Sequence, residues 1–154
     1  MAVLDIRQAR AEDRIGLAEM RTMLWPDSAT EEHLREIDAN LNGTISSTLP
    51  CTIFVAQEGS GELSGFLEVG LRSHADGCDP SRPVGFVEGW FVRDGHRNQG
   101  VGRALMRAAE EWARAHACHE IASDALVDNV ESLDAHQALG FEIVDCCVHF
   151  RKSL

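Results

Sequence analysis

The chain contains no tyrosine, and Lys152 is its only lysine; the other thirteen cations among 154 residues are arginines. No phenol is available to move a proton. No apolar run approaches the roughly 18 residues that a membrane span needs. The opening "MAVLDIRQAR" has neither an apolar h-region nor a cleavage site, so it reads as a mature N-terminus and a cytoplasmic protein is expected. The five cysteines (Cys51, Cys78, Cys118, Cys146 and Cys147) are odd in number and form no C-x-x-C pair. They suggest small buried hydrophobes in a reducing compartment, with neither a disulfide framework nor a zinc site. The seven histidines are scattered, so no metal is expected. G-x-S-x-G is absent, and no cysteine has the basic flank that activates a thiolate, which argues against a covalent intermediate. Basic residues are outnumbered 14 to 25, for a formal net charge of -11. That argues against a nucleic-acid partner and permits a cationic ligand.

What is present is ordinary globular material, 44% hydrophobic and 25% charged, in a length that fits one domain spanning residues 1–154. "VLDIRQA" alternates as a first strand. "AEDRIGLAEMRTMLW" reads as a helix stopped at Pro26. "SATEEHLREIDANLNG" reads as a second helix, capped by Ser28 or Thr30 and closed at Gly43. A polar loop covers residues 44–50. "CTIFVAQ" and "LSGFLEVGLRS" form a hairpin across "EGSGE". "HADGCDPSRPVG" is an irregular link, and "FVEGWFV" is a buried strand with Gly89 inside it, the mark of a bulge or a close approach. A helix from Val101 carries Leu105, Ala108, Ala109 and Trp112 as its core stripe. "CHEIASDAL" is a strand. "DNVESLDAHQALG" is a helix with Asp128 as cap and Glu131 in a capping box, closed by Gly140. "FEIVDCCVHFRKSL" reads as a final strand. The order βααβββαβαβ gives an α/β (α+β) domain without repeats.

The stretch "RNQGVG" before the long helix is the strongest chemical signal. Glycines let a backbone approach closely, and free N–H groups at a helix start attract an anion. Two phosphate loops fail on spelling. Gly95 and Gly100 have the Walker spacing, but Val101 and Gly102 stand where Lys and Ser/Thr are required. Gly100 and Gly102 begin a dinucleotide fingerprint that Leu105 breaks. What remains is R-x-x-G-x-G, formed by Arg97, Gly100 and Gly102.

That spelling resembles the signature of the GCN5-related N-acetyltransferases, in which the loop holds the pyrophosphate of acetyl-coenzyme A. The element order agrees with that family's mixed, mostly antiparallel sheet flanked by helices. Asn129, His136 and "Leu139-Gly140-Phe141" resemble its "N … Y … L-G-F" segment. "MLWPD", "GCDPSRPVGFVEGWFV", "HEIASD" and "HQALGFEIVD" further resemble the type I aminoglycoside 6'-N-acetyltransferases. The resemblance implies that the main chain of Trp90, Phe91 and Val92 lines the pantetheine arm. It implies that Arg97, Asn98, Gln99, Gly100, Val101, Gly102 and Arg103 serve the pyrophosphate, with Asn129 also on the coenzyme side. An N–H of Phe91 or Val92 would meet the oxyanion. Trp25 and His74 would flank the sugar.

An aminoglycoside is a polycation, so its site needs separated carboxylates. Glu88 interrupts an apolar strand, Asp124 ends another, and Asp145 breaks "IVDCCV"; all three lie in the resembling segments. Glu88 or Asp124 is the expected base. The family's proton-donating tyrosine aligns with His136. Three outcomes stay open: His136 donates, a water donates, or the thiolate leaves unprotonated. The expected activity is acetyl transfer from acetyl-CoA to an aminoglycoside 6'-amine by direct attack in a ternary complex, with drug resistance as its outcome. Acetylation of a polyamine or peptide N-terminus, and a non-catalytic acetyl-CoA-binding domain, are the alternatives. The long apolar final strand would be a liability if bare, so a homodimer is expected to cover it.

Overall fold

The computed structural model describes residues 3–44 and 49–154, so part of the polar loop expected at 44–50 lies outside the described residues. Five strands form one sheet in the order β1-β2-β3-β4-β5: β1 (Asp5–Gln8), β2 (Cys51–Gln57), β3 (Leu63–Arg72), β4 (Val84–Val92) and β5 (Ile121–Ser123). The first four pair antiparallel, and β4 pairs with β5 in parallel. Helices α1 (Arg14–Leu24), α2 (Thr30–Leu41), α3 (Val101–Ala115) and α4 (Val130–Ala138) complete the domain.

The sheet is covered on both faces, which is why β2, β3 and β4 read as near-continuous apolar runs. On one face Val101, Leu105, Met106 and Ala109 of α3 pack on Phe54, Ala56, Leu67, Val69 and Val87. On the other, Leu17, Ala18 and Met20 of α1 and Ile37 of α2 pack on Ile53, Val55 and Phe66. At one end of α1, Asp13 is buried and tied to the framework. It accepts from Arg7 Nη1 and Nη2 at 2.7 and 2.9 Å and from the Arg10 N–H at 2.7 Å. Burial raises its pKa, but the Arg7 guanidinium and the Arg10 N–H outweigh it and hold the carboxyl below the usual carboxylate range.

Two features of β4 position the site. Its register against β3 slips: Glu68 faces Gly89, while Val69 faces Val87, so Glu88 sits in a bulge. Its pairing with β5 stops early, because only Gly85, Phe86 and Val87 have β5 partners. From Glu88 to Val92 the two strands part, leaving a slot beside β4.

Three expectations need correction. The caps differ: α2 starts after Ala29 with no side-chain cap, and Asn129 rather than Asp128 caps α4 by accepting the Ser132 N–H at 3.1 Å. Glu131 is turned to Arg97 instead of completing a capping box. The final strand does not form: from Phe141 onward the chain joins no strand of its own sheet. Its first residues run across the 74–83 link, where Val144 lies against Gly77. The rest is an exposed arm, with Val148 75% and Phe150 93% accessible. A period-2 apolar pattern is a statement about pairing propensity; it does not specify which edge is the partner.

Candidate active site

The glycine turn is built as a helix-start anion cradle. Gly100 has φ +85° and is the N-cap of α3. Only glycine takes that conformation without strain. Asn98 is also left-handed, at φ +59°, and Gln99 braces the turn by donating to the Gly95 carbonyl at 3.0 Å. The first helical bond joins the Ala104 N–H to the Gly100 carbonyl. The amides of Val101, Gly102 and Arg103 therefore project from the helix end without intrahelical acceptors. Arg97 is committed to protein partners. Its Nε donates to the Val92 carbonyl at 3.0 Å, and its guanidinium pairs with Asp94 at 3.2 Å and Glu131 at 3.4 Å. It ties the end of β4 and the turn to α4.

The slot between β4 and β5 opens directly onto this turn. Trp90 forms part of its wall, packed toward the core, with its indole N–H buried and without an acceptor among the described residues. An elongated chain ending in a pyrophosphate fits these features: a strand with unpaired backbone along one edge, then a helix start. Beside Trp90, His136 stands edge-on to the indole at 5.2 Å and edge-on to Phe141 at 5.2 Å. Both ring nitrogens of His136 are engaged: Nδ1 lies 2.7 Å from the Ser132 carbonyl and Nε2 lies 2.8 Å from Ser123 Oγ. A carbonyl only accepts, so the Nδ1–H tautomer fits, and Nε2 accepts from the Ser123 hydroxyl.

A second concavity lies on the opposite side of the β4 bulge. About 240 Å³ is enclosed by Arg21, Trp25, Ser28, His33, Glu36, Glu68 and Glu88. Trp25 is seated by a close approach: a Cβ at Gly89 would come within 2.5 Å of its ring. The bulge glycine is thus the socket for Trp25. The indole stacks on His33, meets Phe66 edge-on, and carries the Arg21 guanidinium 4.8 Å over its face. Arg21 is itself buried, 5% exposed, and pairs with both Glu36 and Glu68. Burial pushes its guanidinium pKa down while Glu36 pushes it up.

Trp25 and Glu88 are therefore brought together as expected. Asp124 follows β5 directly; its neighbour Ser123 is paired with Val87, which places it by the fork, and it forms no ion pair among the described residues. His74 is exposed, beside Ser73 Oγ at 3.3 Å, and does not line the cavity. Asp145 lies on the exposed arm, its carboxylate accepting the neighbouring Cys146 N–H at 2.7 Å. The 74–83 link is anchored toward β5, through the Asp79 N–H on Glu120 at 2.7 Å. Arg21, Glu36 and Glu68 were missed by sequence reasoning. Their signal was the one used for Glu88: Arg21 interrupts the apolar stripe of α1, and Glu68 interrupts "GFLEVG". Burial pushes the thiols of Cys51, Cys78 and Cys118 up, away from the thiolate a covalent route would need. No cluster of metal-ligating side chains occurs among the described residues, and no helix among them is long and apolar enough to cross a membrane.

Comparison with known proteins converges on one group. The acetyltransferase (GNAT) family model matches residues 15–141. An aminoglycoside N(6')-acetyltransferase type 1 of Klebsiella aerogenes is 41% identical over 149 residues, 97% of this chain and 96% of that protein. A like-named protein of Stenotrophomonas maltophilia is 40% identical, covering 97% of this chain and 93% of its own. Among solved structures, AAC(6')-Iy in complex with the bisubstrate analogue CoA-S-monomethyl-acetylneamine superposes with a TM-score of 0.88 at 33% identity, covering 99% of each chain. AAC(6')-Iy in complex with CoA superposes with a TM-score of 0.90 at 32% identity, covering 100% of this chain and 97% of that one.

Proposed function

The chain belongs to the acetyltransferase (GNAT) family, and from that premise we propose that it is an aminoglycoside 6'-N-acetyltransferase that uses acetyl-CoA as co-substrate. The observation that carries the reading is the pairing of two sites across one strand. On one side of β4 lies a backbone-lined slot leading to a helix start; on the other lies a cavity walled by Trp25 and three carboxylates. The first suits a pantetheine and pyrophosphate, the second a polycationic sugar. Modification of an ammonium on the drug weakens its hold on an anionic target, so resistance is the outcome.

The chemistry follows from that placement. The 6'-ammonium first gives up a proton to a base, and the neutral amine then attacks the thioester carbonyl carbon directly. Arg93 donates its N–H to the Ser64 carbonyl on β3, so alternation along β4 turns the Val92 amide, and not that of Phe91, to the slot, where it meets the charge that develops on the carbonyl oxygen. The carbon–sulfur bond then breaks and the amine nitrogen gives up a second proton. Asp124 is our choice of base: it stands at the fork without an ion pair, whereas both oxygens of Glu88 are held by an arginine. Glu88 then acts as an anchor for a second ammonium. His136, with Nδ1–H on the Ser132 carbonyl and Nε2 accepting, fixes the Ser123 hydroxyl and has no proton to pass on, so the departing thiolate takes its proton from water or leaves unprotonated. Asn98, Gln99, Gly100, Val101, Gly102 and Arg103 hold the pyrophosphate, Arg97 braces them, and Asn129 orders α4 beside them.

We also propose a homodimer. β5 has no partner on its outer edge among the described residues, while the 141–154 arm is apolar in sequence and exposed from Glu142 onward. Ile143, Val148 and Phe150 on the arm, with Leu126, Val127 and Val130 near β5, form apolar surface that a second copy of the chain would cover. Asp145 joins an acceptor site only when this arm is laid down. Light scattering of the whole chain should give twice the monomer mass; a monomer would contradict this assembly.

The function itself is tested by acetyl-CoA-dependent thiol release with kanamycin, spermidine and a peptide amine. Release with kanamycin, and an acetyl group located on the 6'-nitrogen by NMR, is the expected result. Preference for spermidine or the peptide would support another amine acetyltransferase, and release with none a non-catalytic domain.

A further inference from the structure

The Glu88 carboxylate already holds a cation. Arg72, the last residue of β3, donates Nε to Oε1 at 2.9 Å and Nη2 to Oε2 at 2.8 Å. This is the planar fork that an arginine makes with a carboxylate, and it uses both oxygens. The guanidinium sits over Phe86, its central carbon 3.5 Å from the ring centroid. Phe86 and Glu88 follow one another at a two-residue interval on β4, so the arginine is laid along the strand toward the cavity mouth. The pair is also half open to water, with side-chain exposures of 45% and 41%. A pair so exposed is worth about 0–1 kcal/mol, so it is easily opened.

The other two carboxylates in the cavity also hold an arginine, each through a single oxygen. Glu36 and Glu68 share Arg21, but that cation is buried and fixed under Trp25, whereas Arg72 is accessible. Of the two arginines, only Arg72 is placed to leave. An ammonium arriving at Glu88 is a point charge and gains less there than the fork it displaces. A single amine is therefore a poor competitor. A ligand with several ammonium groups gains further attraction from Glu36 and Glu68 in the same cavity, which offsets the loss of the Arg72 pair.

We propose that Arg72 is a specificity-determining residue: an internal competitor at Glu88 for the anchoring ammonium of the acceptor molecule, which selects polyvalent cations over monoamines. The proposal rests on the reading of Glu88 as part of the acceptor site.

The test is steady-state kinetics of Arg72→Leu, which keeps an apolar contact with Phe86, at saturating acetyl-CoA. Kanamycin and glucosamine, a sugar with one amine, are the acceptors. The KM for kanamycin is expected to fall about three- to fivefold, the size of an exposed ion pair, and the preference for kanamycin over glucosamine to narrow. The KM for acetyl-CoA serves as the control that a general structural disturbance would move. An unchanged or raised kanamycin KM in Arg72→Leu overturns the competitor role. Glu88→Gln separates the two layers. If it raises the kanamycin KM while Arg72→Leu fails to lower it, only the competitor role is lost. If it leaves that KM unchanged, the placement of the acceptor at Glu88 fails as well.

Discussion

The slot between β4 and β5 offers its ligand main-chain amides, whereas the cavity under Trp25 offers side-chain carboxylates drawn from α2, β3 and β4. The difference lies in how each half acquires its charge. The coenzyme half uses fixed peptide dipoles: a helix start, a strand edge and a left-handed glycine. Those groups are ready without any rearrangement. The proposed acceptor half is made of ionised groups that would be costly to hold unpaired, and arginines occupy them. A backbone site is thus preformed, and a carboxylate site is prefilled.

The largest effect that would break this contrast is expected at Gly100. Asparagine and aspartate have nearly the same shape and both tolerate the left-handed region, so comparing them isolates charge from strain at φ +85°. Gly100→Asp should weaken acetyl-CoA binding about 100-fold more than Gly100→Asn, about 2.7 kcal/mol, by calorimetric titration. Equal losses would mean that no anion sits at the helix start.

A smaller effect is expected at the socket of Trp25. Gly89→Ala places a methyl group within 2.5 Å of the indole and pushes it into the cavity. The KM for kanamycin should rise about tenfold, the cost of a displaced aromatic wall in a half-open site. The KM for acetyl-CoA should move much less. If both rise together, the bulge serves the strand as a whole, and the two halves are not separable at this residue.

The smallest effect on the site should come from the framework pair Arg7–Asp13, where the ion pair is structural. The Asp13 carboxyl is held below its usual range, so its stabilisation is complete above the unfolded-state pKa of about 3.9. It is lost as pH falls through the lower folded value. Asp13→Asn should cost about 1–3 kcal/mol in urea unfolding at pH 7, and the difference from the parent chain should shrink in acid below that range. Both KM values should stay within about twofold, as for surface-remote substitutions. A large change in either would mean that this corner of α1 communicates with the site.

The same contrast explains what could be read from the sequence. The coenzyme half is local: Arg97, Gly100, Gly102 and the helix from Val101 follow one another, and each residue type has one physical reason to be there. The acceptor half is assembled from residues 21 to 88, so its parts carry no common spacing. Glu88 was legible through its apolar surroundings and Trp25 through the resemblance of "MLWPD", and the burial of β4 was legible in "FVEGWFV". Arg21 and Glu68 carried the same signal as Glu88, a charge interrupting an apolar pattern, but only the fold makes them neighbours of each other and of Glu36. His74 was placed by resemblance in an exposed link with no contact to the cavity. The last strand failed for a different reason. Its pattern signals a propensity to pair, and does not specify the edge it pairs with.

The division between a main-chain coenzyme half and a carboxylate acceptor half is tested most directly by calorimetric titration of Glu88→Gln with kanamycin and, separately, with acetyl-CoA. The account predicts that kanamycin affinity falls about tenfold while acetyl-CoA affinity is retained. Loss of both affinities together, or retention of both, would contradict it.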